Sequence, residues 1–480
     1  MIPAADDRQP GWGALIRSPG FNRLAVLSFG VWLHAADELM VSTITPAMTG
    51  EIGGVAFIAW LIALYEVGSI VAGAVSAFVV LRFGLRESLA LAGLVYGAGC
   101  LVSGVAQDMA QMLAGRLFQG LGGGAMIAIA FIGIHRIIEV RLTARAYALI
   151  SLVWGVSAFT GPLIGAGFAD AGWWRGAFYL FASQAIVFAA ASYLLLAQRK
   201  SGMAEVTARG SPVRVLFRVA VLSMGVVAIA ASGNAADAGG AVVLLAAGVG
   251  LLIAFLALDG RAGDGRLLPA RVYDLRLAQG AALSIVLLYA MATVSLITFG
   301  PILMAHLHGL EAFPIGLILL LESAGWSVVA IAIADIPFRR EATAILGGFL
   351  AVTIGVLLLI RAIPSGPVAL IAVSALLQGG GMGAAWAFLV RRTTVLTAPA
   401  ERDRSISAIP TVQRFGYALG AAIAGIIANA SGIGAELGHA EIATTATRIY
   451  ALSAIPPILG LAAVISFLRF REGEAHKNAA

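Results

Sequence analysis

Two adjacent carboxylates, Asp37 and Glu38, lie in a long apolar stretch near the N-terminus, and His34 precedes them by three and four residues. In a helix that spacing makes His34 a neighbour of both. A carboxyl group in a low-dielectric environment can bind and release a proton near neutral pH. The set therefore predicts reversible proton binding. The alternative is that one carboxylate only neutralises a buried arginine.

That arginine is Arg116, which stands alone in a second apolar stretch, LAGRLFQGLGGGAMIAIAF. A charged side chain inside a membrane is costly, so it usually faces a partner or a cavity and marks a functional site. At about 1.5 Å of rise per residue, Asp37 and Arg116 can reach similar depths if their helices are antiparallel. We predict a pair that forms and breaks during proton binding. The alternatives are a static ion pair and an arginine that reaches towards the outer face.

Three further charged residues, Glu66, Glu322 and Arg414, also lie in apolar stretches. A shift of 256 residues places Glu66 on Glu322. Each Glu is interpreted as a substrate contact or second proton site, or else as a helix–helix hydrogen bond. Arg414 is interpreted as a ligand for an anionic substrate, or else as a partner of Glu322. The predicted proton-coupling residues are Asp37, Glu38, Arg116 and Glu66; the predicted substrate-binding residues are His34, Gln119, Glu322, Gln378 and Arg414.

The elements that must position these residues are membrane-spanning helices. The chain has 480 residues, of which 60% are hydrophobic and 12% charged, whereas a soluble globular protein has about 25% charged residues. So few charges cannot cover a water-exposed surface, and we predict an all-α polytopic membrane protein. The single cysteine, Cys100, excludes an internal disulfide framework. Residues 21–46 are too long, and too often interrupted by polar groups, for a cleavable signal.

A spanning helix needs about 20 predominantly apolar residues. On that criterion we predict fourteen spans, at 22–47, 56–80, 87–106, 111–134, 145–169, 177–197, 213–231, 240–258, 277–304, 314–335, 342–362, 367–390, 405–430 and 449–470. The weakest pair is 213–258, because Arg218 interrupts its first member. Twelve spans with an amphipathic linker are the alternative.

The positive charges predict the orientation. Of the 31 Lys and Arg residues, 25 fall in the tails and loops of one face, three in the opposite loops and three within spans. Because basic loops lie on the cytoplasmic side, we expect both termini in the cytoplasm and the chain in the inner (plasma) membrane. The formal charge of +6 is spread over short loops, which does not indicate a nucleic-acid partner. No cofactor or metal is predicted.

The two ends of the chain carry an internal repeat. A shift of 259 residues places Gln119 on Gln378 and Gly161 on Gly420. Parallel repeats of six helices are typical of one transporter class, with the substrate site near the midplane between the halves. The predicted organisation is a cytoplasmic tail (1–20), a six-helix bundle (21–198), a linker with two transmembrane helices (199–276), a second six-helix bundle (277–470) and a cytoplasmic tail (471–480).

Together these motifs resemble the major facilitator superfamily, and more closely its fourteen-helix drug/proton antiporter branch. Arg116, Gln119 and Gly120 match the fourth-helix R-x-x-Q-G pattern. Asp37 and Pro46 match the Asp and Pro of the branch's first-helix signature. The fifth-helix antiporter motif, with its G-P-x-x-G centre, is matched by four residues: Gly155, Gly161, Pro162 and Gly165. The resemblance implies that this motif takes part in the conformational change.

The loop after the second helix departs from the family pattern G-x-x-x-D-R-x-G-R-K. Leu81 stands where the family has Asp, and the matching residues that remain are Arg82, Gly84 and Arg86. The C-terminal copy carries Asp335, Arg339 and Arg340. In the family this loop helps to lock the outward-facing gate, so the departure weakens a strict exporter interpretation.

The resemblance implies a secondary active transporter, not an enzyme, that moves a small organic compound through the lipid bilayer as a monomer. Proton-coupled efflux of the multidrug antiport type is the first prediction. Uptake of a nutrient or cofactor, by proton symport or facilitated diffusion, is the alternative. A membrane-embedded enzyme would need a clustered catalytic set such as H-E-x-x-H, which the sequence does not show.

Two other patterns have ordinary structural explanations. The glycine runs 120–124 and 379–383 follow no strand, so they predict close helix packing rather than a phosphate loop. Five tryptophans, Trp32, Trp60, Trp154, Trp326 and Trp386, fit packing or membrane interfaces better than a cavity for a flat ligand.

Overall fold

The computed structural model describes residues 12–196, 211–334, 336–433 and 438–470. In these ranges fourteen helical segments are long and apolar enough to cross a membrane. The all-α class and the fourteen spans are therefore confirmed, and the twelve-span alternative is wrong. A short helix, α1 (Trp12–Ile16), precedes the first span.

The first six spans are α2 (Phe21–Ile52), α3 (Ile58–Phe83), α4 (Leu85–Gly104), α5 (Met109–Ile137), α6 (Thr143–Asp170) and α7 (Arg175–Leu195). Most ends agree with the predicted bounds within a few residues. Helix α2 continues five residues beyond its predicted end, past the internal Pro46. A long apolar cluster from Leu15 to Leu196 forms the core of this bundle.

The linker spans are α8 (Pro212–Ser232) and α9 (Ala238–Gly260). Arg218, which made this pair the weakest prediction, lies 2.8 Å from Asp259 in a buried ion pair. Its second guanidinium nitrogen donates to the Gly265 carbonyl at 2.7 Å. The charge that interrupts the apolar pattern of α8 is thus neutralised by α9, and the two helices can cross the membrane as a pair.

The last six spans are α10 (Ala278–His308), α11 (Ala312–Ala332), α12 (Phe338–Ser365), α13 (Val368–Leu396), α14 (Pro399–Ala430) and the pair α15 (His439–Ser453) with α16 (Ile455–Arg469). The final span starts ten residues before the predicted position 449. Its first turns are rich in polar residues such as Glu441, Thr444 and Thr447, so hydropathy alone did not mark them. The helix is interrupted at Ala454, before Pro456 and Pro457.

Three successive glycines of α5 each face a different helix. A side chain at Gly122 would meet the backbone of α4 at Tyr96, and one at Gly124 would meet the backbone of α3 at Ser69. A side chain at Gly123 would meet the imidazole ring of His34 on α2. The glycine run therefore lets three neighbours approach α5 closely, which agrees with the packing interpretation.

The same close contacts recur in the second half and fix the correspondence between the halves. Gly120 packs on the backbone of Tyr65, and Gly379 packs on that of Glu322. Relative to the 259-residue shift of α5 onto α13, helix α3 therefore maps onto α11 with a shift of 257. The predicted alignment of Glu66 with Glu322 is wrong by one residue, because Glu322 occupies the place of Tyr65.

Two further pairs of helices have shifts of their own. Gly161 packs on the backbone of Ala36 and Gly420 on that of Met291, which relates α2 to α10 by 255 residues. Gly99 packs on α5 as Gly355 packs on α13, which relates α4 to α12 by 256. Loops of different length between the helices account for the different shifts.

The two halves meet through α3 against α14 and through α6 against α11. At the face opposite the basic loops, Asp170 accepts hydrogen bonds from the backbone N–H groups of Ala312 and Phe313, both at 3.0 Å. On the other side of the same face, Asn234 and Asn429 donate to the Ala56 carbonyl at 3.2 and 2.9 Å. The halves are therefore held together at that face.

Candidate functional site

The centre of the first bundle holds an ion pair between Asp37 of α2 and Arg116 of α5. Arg116 Nη1 lies 2.9 Å from Asp37 Oδ2, and both side chains are fully buried. Gln119 Nε2 donates to Asp37 Oδ1 at 3.1 Å, while its Oε1 accepts from Arg116 Nη1 at 3.2 Å. Three predicted residues are thus brought together, and both carboxylate oxygens have partners.

Residues that the sequence reasoning missed complete the surroundings of this pair. Gln119 also contacts Cys100 Sγ at 3.3 Å and accepts from Ser103 Oγ at 3.3 Å. Arg116 donates from Nε to the Leu61 carbonyl at 3.3 Å and lies 4.1 Å from the centre of the Tyr65 ring. Such a cation–π contact stabilises a desolvated guanidinium. Gln119 is engaged entirely within the bundle, which does not favour its predicted contact with substrate.

A second polar cluster links the two halves through His34. Arg414 Nη2 lies 2.8 Å from His34 Nε2. Because a guanidinium can only donate, Nε2 must accept, and the single ring proton is assigned to Nδ1. Nδ1 then donates to the Tyr65 hydroxyl at 2.9 Å, and that hydroxyl donates to the His34 carbonyl at 2.9 Å. His34 is therefore neutral in this arrangement.

Arg414 of α14 pairs with Glu66 of α3 across the interface between the halves. Its Nη1 lies 3.0 Å from Glu66 Oε2, and Glu66 is fully buried. The predicted partner Glu322 is wrong; within the described residues this half-buried carboxylate has no hydrogen bond or ion pair. Glu38 Oε2 lies 3.8 Å from His34 Nε2, and the Glu38 side chain is 17% exposed.

A cavity of about 1040 Å³ lies between the halves on the side of the basic loops. Its walls come from α3, α5, α14 and both linker helices. Among the nine predicted proton and substrate residues, only Arg414 lines it. The phenol of Tyr273, in the loop after α9, also lines the cavity, and burial raises its pKa above the ordinary value, so it stays protonated.

None of the five predicted tryptophans is among the residues that line this cavity. Trp32 stacks on Phe181 at 5.6 Å and donates to Thr160 at 3.2 Å. Trp326 packs against Trp386 at 5.9 Å. These contacts are those of packing, which agrees with the first interpretation.

The fifth-helix motif serves two different interfaces. A Cβ at Gly161 or Gly165 would lie 2.5 Å from the backbone oxygen of Ala36 or Met40, so these two residues allow α6 to approach α2 within the bundle. Pro162 offers its carbonyl to the Thr43 hydroxyl at 3.2 Å. Gly155 instead faces the other half, with Ser327 Oγ 3.6 Å from an added Cβ.

The loop residues of the predicted lock lie apart from these sites. Gly84 joins α3 to α4 with a φ of +89°, which favours glycine. Arg86 lies over the Tyr193 ring at 3.5 Å, whereas Arg82 is exposed at the end of α3. Arg339 and Arg340 are exposed at the start of α12, and Asp335 lies outside the described residues.

Comparisons with known proteins agree with this architecture. The family model described as Major Facilitator Superfamily matches residues 27–373. A probable multidrug-efflux transporter of Mycobacterium tuberculosis (strain ATCC 25618 / H37Rv) is 31% identical over 416 residues, covering 84% of this chain and 87% of that protein. Two solved structures share the fold: a peptide transporter POT in complex with sulfate (TM-score 0.66, 15% identity, 97% and 98% covered) and a D-xylose-proton symporter (0.67, 14%, 95% and 99%).

Proposed function

We propose that this chain, which belongs to the Major Facilitator Superfamily, exports a small organic compound in exchange for protons. The observation that carries the proposal is the buried pair of Asp37 and Arg116, because an ionisable pair inside a membrane protein is costly unless it is used. The relative described as a probable multidrug-efflux transporter supports efflux as the direction.

In this mechanism a proton on Asp37 removes the charge that holds Arg116 and Gln119. Helix α2, which carries Asp37, packs against α6 of its own half and against α10 and α11 of the other. A change at Asp37 is therefore passed to the interface between the halves. Substrate would enter the cavity from the basic face, which we take as cytoplasmic, and leave after the opposite face has opened.

His34, Tyr65 and Arg414 extend the proton site towards that cavity. Tyr65 touches Arg116 through its ring and His34 through its hydroxyl. His34 in turn accepts from Arg414, which lines the cavity. Through this chain of contacts, a rearrangement of Arg116 changes how Arg414 is held, which is the link that coupling requires. We place Glu38 and Glu66 in the same relay.

Uptake by proton symport or facilitated diffusion is the second candidate. The loop after α3 favours it, because Leu81 replaces the acidic residue of the family pattern and Arg82 is exposed to solvent. Without that carboxylate the loop has less to hold one state closed. Export by antiport then depends on the contacts of the C-terminal half.

Transport by purified protein in proteoliposomes tests the proposal. A pyranine signal reports proton movement, while a panel of fluorescent organic compounds reports substrate movement. We expect an inward proton gradient to drive accumulation of at least one compound in inside-out vesicles, with matching proton release. Movement of substrate and protons in the same direction would instead support symport. Movement of substrate that is indifferent to a proton gradient would reject coupling.

Reporter fusions test the proposed orientation in the inner membrane. Fusions after Gly202 and Gly263 should report the cytoplasm, and a fusion after Asp237, between α8 and α9, should report the opposite side. A cytoplasmic signal at Asp237 would contradict the two linker crossings. Because one chain contains both bundles and the cavity between them, we propose that the monomer is the transporting unit.

A further inference from the structure

The residues that line the cavity carry an unusual balance of charge. Of the described residues on its walls, none is Asp, Glu or Lys; the ionisable ones are Arg414, His135, Tyr147 and Tyr273. Most of the remainder are aliphatic or aromatic. A lipophilic cation would find no carboxylate on these walls, whereas an anion would find a guanidinium.

Arg414 is prepared to bind such an anion. Its Nη1 and Nη2 atoms are oriented by Glu66 at 3.0 Å and by His34 at 2.8 Å. A guanidinium has five N–H groups in a planar fork, so donors remain beyond these two bonds. The side chain is 16% exposed, and the exposure is to the cavity that it lines. Planar carboxylate or sulfonate groups match the geometry of such a fork.

The linker helices form an apolar wall of the same cavity. Val219 and Leu222 of α8, with Leu252 and Phe255 of α9, all line it. The position of this wall is fixed by the buried Arg218–Asp259 pair at 2.8 Å. An apolar group bound here would gain about 25 cal/mol for each Å² removed from water.

The approach to the cavity has the same preference. Most of the positive charge of the chain lies in the loops on the side where the cavity is found. A basic rim around a low-dielectric cleft raises the local concentration of anions. The rim, the wall and Arg414 therefore select for the same kind of molecule.

We propose that the cavity binds an amphiphilic organic anion, with its carboxylate or sulfonate at Arg414 and its apolar body against the linker wall. The inference rests on the proposed transport function for its biological meaning, but concerns binding alone. The carboxylate of Glu66 offsets the charge of Arg414, so removing it should strengthen binding of the anion. Glu38, His34, Tyr65 and Tyr417 are the other titratable groups around this pair.

Equilibrium binding to protein in lipid nanodiscs, at constant pH, tests the charge preference. Three probes share one apolar body: 2-naphthylacetate, 2-naphthylacetamide and 2-(2-naphthyl)ethylammonium. We expect the anion to bind at least tenfold more tightly than the amide and the cation. Equal or undetectable binding of all three, or tighter binding of the cation, overturns the proposal.

Variants locate the preference. Arg414→Gln should abolish the tenfold difference between anion and amide, while Glu66→Gln should increase anion affinity severalfold. Because Arg414→Gln leaves Glu66 without its partner, the double variant Glu66→Gln/Arg414→Gln serves as a neutral version that retains the fold. Arg361→Gln, on an exposed position of α12, is the charge-matched control and should keep the preference. An unchanged preference in Arg414→Gln overturns the assignment.

The same probes separate this inference from the proposed function. If the cation or the amide binds best and its movement is still proton-coupled in proteoliposomes, the transporter assignment stands and the anion preference is wrong. If the anion binds through Arg414 but proton gradients never affect its movement, the anion site stands and the coupling mechanism is wrong.

Discussion

The centres of the two six-helix bundles share a backbone arrangement but differ in their side chains. In the first bundle Asp37 and Arg116 form a buried ion pair. By the shifts of 255 and 259 residues, their counterparts in the second bundle are Ala292 and Ala375, both buried. A buried ion pair is often no more stabilising than apolar packing of similar volume. The second bundle thus shows that this fold does not need the pair, so its explanation lies in function.

Gln378, the counterpart of Gln119, makes the contrast sharper. It is fully buried, and within the described residues neither of its amide atoms has a hydrogen-bond partner. The residues that contact Gln119 through sulfur and hydroxyl groups, Cys100 and Ser103, correspond to Val356 and Leu359. The second centre has the amide without its network, and the capacity for proton chemistry is confined to the first.

The largest effect should follow from making the first centre resemble the second in charge. Asp37→Asn removes the titrating carboxylate but keeps a side chain that can bond Gln119. We expect accumulation driven by a proton gradient to be abolished, while exchange of substrate across the membrane without a gradient continues. Both are measured in proteoliposomes. Normal gradient-driven transport by this variant would move the assignment to Glu38 or Glu66.

Breaking only one member of the pair should expose the difference between charge and packing. Arg116→Met leaves the buried carboxylate of Asp37 without its counter-ion, which we expect to cost about 3–5 kcal/mol of stability. The double variant Asp37→Asn/Arg116→Met has no charge left and should recover most of that loss. Thermal unfolding in detergent measures both. A double variant as unstable as the single one would mean that Arg116 acts mainly through packing.

The glycine run gives a smaller effect that is local to His34. The counterpart of Gly123 is Met382, whereas Gly122 and Gly124 correspond to glycines, because only Gly123 faces a side chain rather than a backbone. Gly123→Ala should displace the His34 ring and reduce coupled transport severalfold while the protein still folds. Transport per folded molecule is the measurement.

Two other alanine substitutions bracket this result. Gly347, which has open space around it, is the control and should tolerate alanine without effect. Gly124→Ala meets the backbone of α3 and should reduce folded protein instead. Loss of folded protein in Gly123→Ala, with normal specific transport, would argue against a role for His34.

The smallest effect is expected at Gln378 in the second centre. An unsatisfied buried amide costs about 1–3 kcal/mol, so Gln378→Leu should raise the thermal midpoint by a few degrees and leave coupling intact. Gln119→Leu, the matched change in the first bundle, should lower stability and impair coupling. A lower midpoint in Gln378→Leu would show that this amide has a partner, such as bound water.

Much of this architecture could be predicted from the sequence because it rests on hydropathy, charge and helical depth. Apolar length gave the fourteen spans, and the depths of Asp37 and Arg116 on antiparallel helices predicted that they could meet. Contacts between distant helices gave no comparable signal. The partner of Arg414 was misassigned because sequence offered two glutamates, Glu66 and Glu322, and the correct one depends on how α3 and α14 cross.

The residues around the site were missed for a related reason. Tyr65, Cys100 and Ser103 are ordinary members of apolar helices in sequence, and only packing makes them neighbours of Arg116 or Gln119. One signal was available for His34: a run of three glycines on α5 is more than two helix contacts require, so a third neighbour was implied. The cavity and its linker wall depend on the relative placement of whole helices, which no local pattern encodes.

At the far face, a single exposed carboxylate at the end of α6 has a consequence for speed rather than affinity. Asp170 holds the first turn of α11 through two backbone N–H groups, and these bonds must break each time that face opens. Two bonds of about 1 kcal/mol each shift the balance between closed and open states on the order of tenfold. Where such an opening limits the cycle, it sets the number of molecules moved per second. Turnover in this protein can therefore be adjusted at the end of α6 without altering what the cavity binds or how the proton is held.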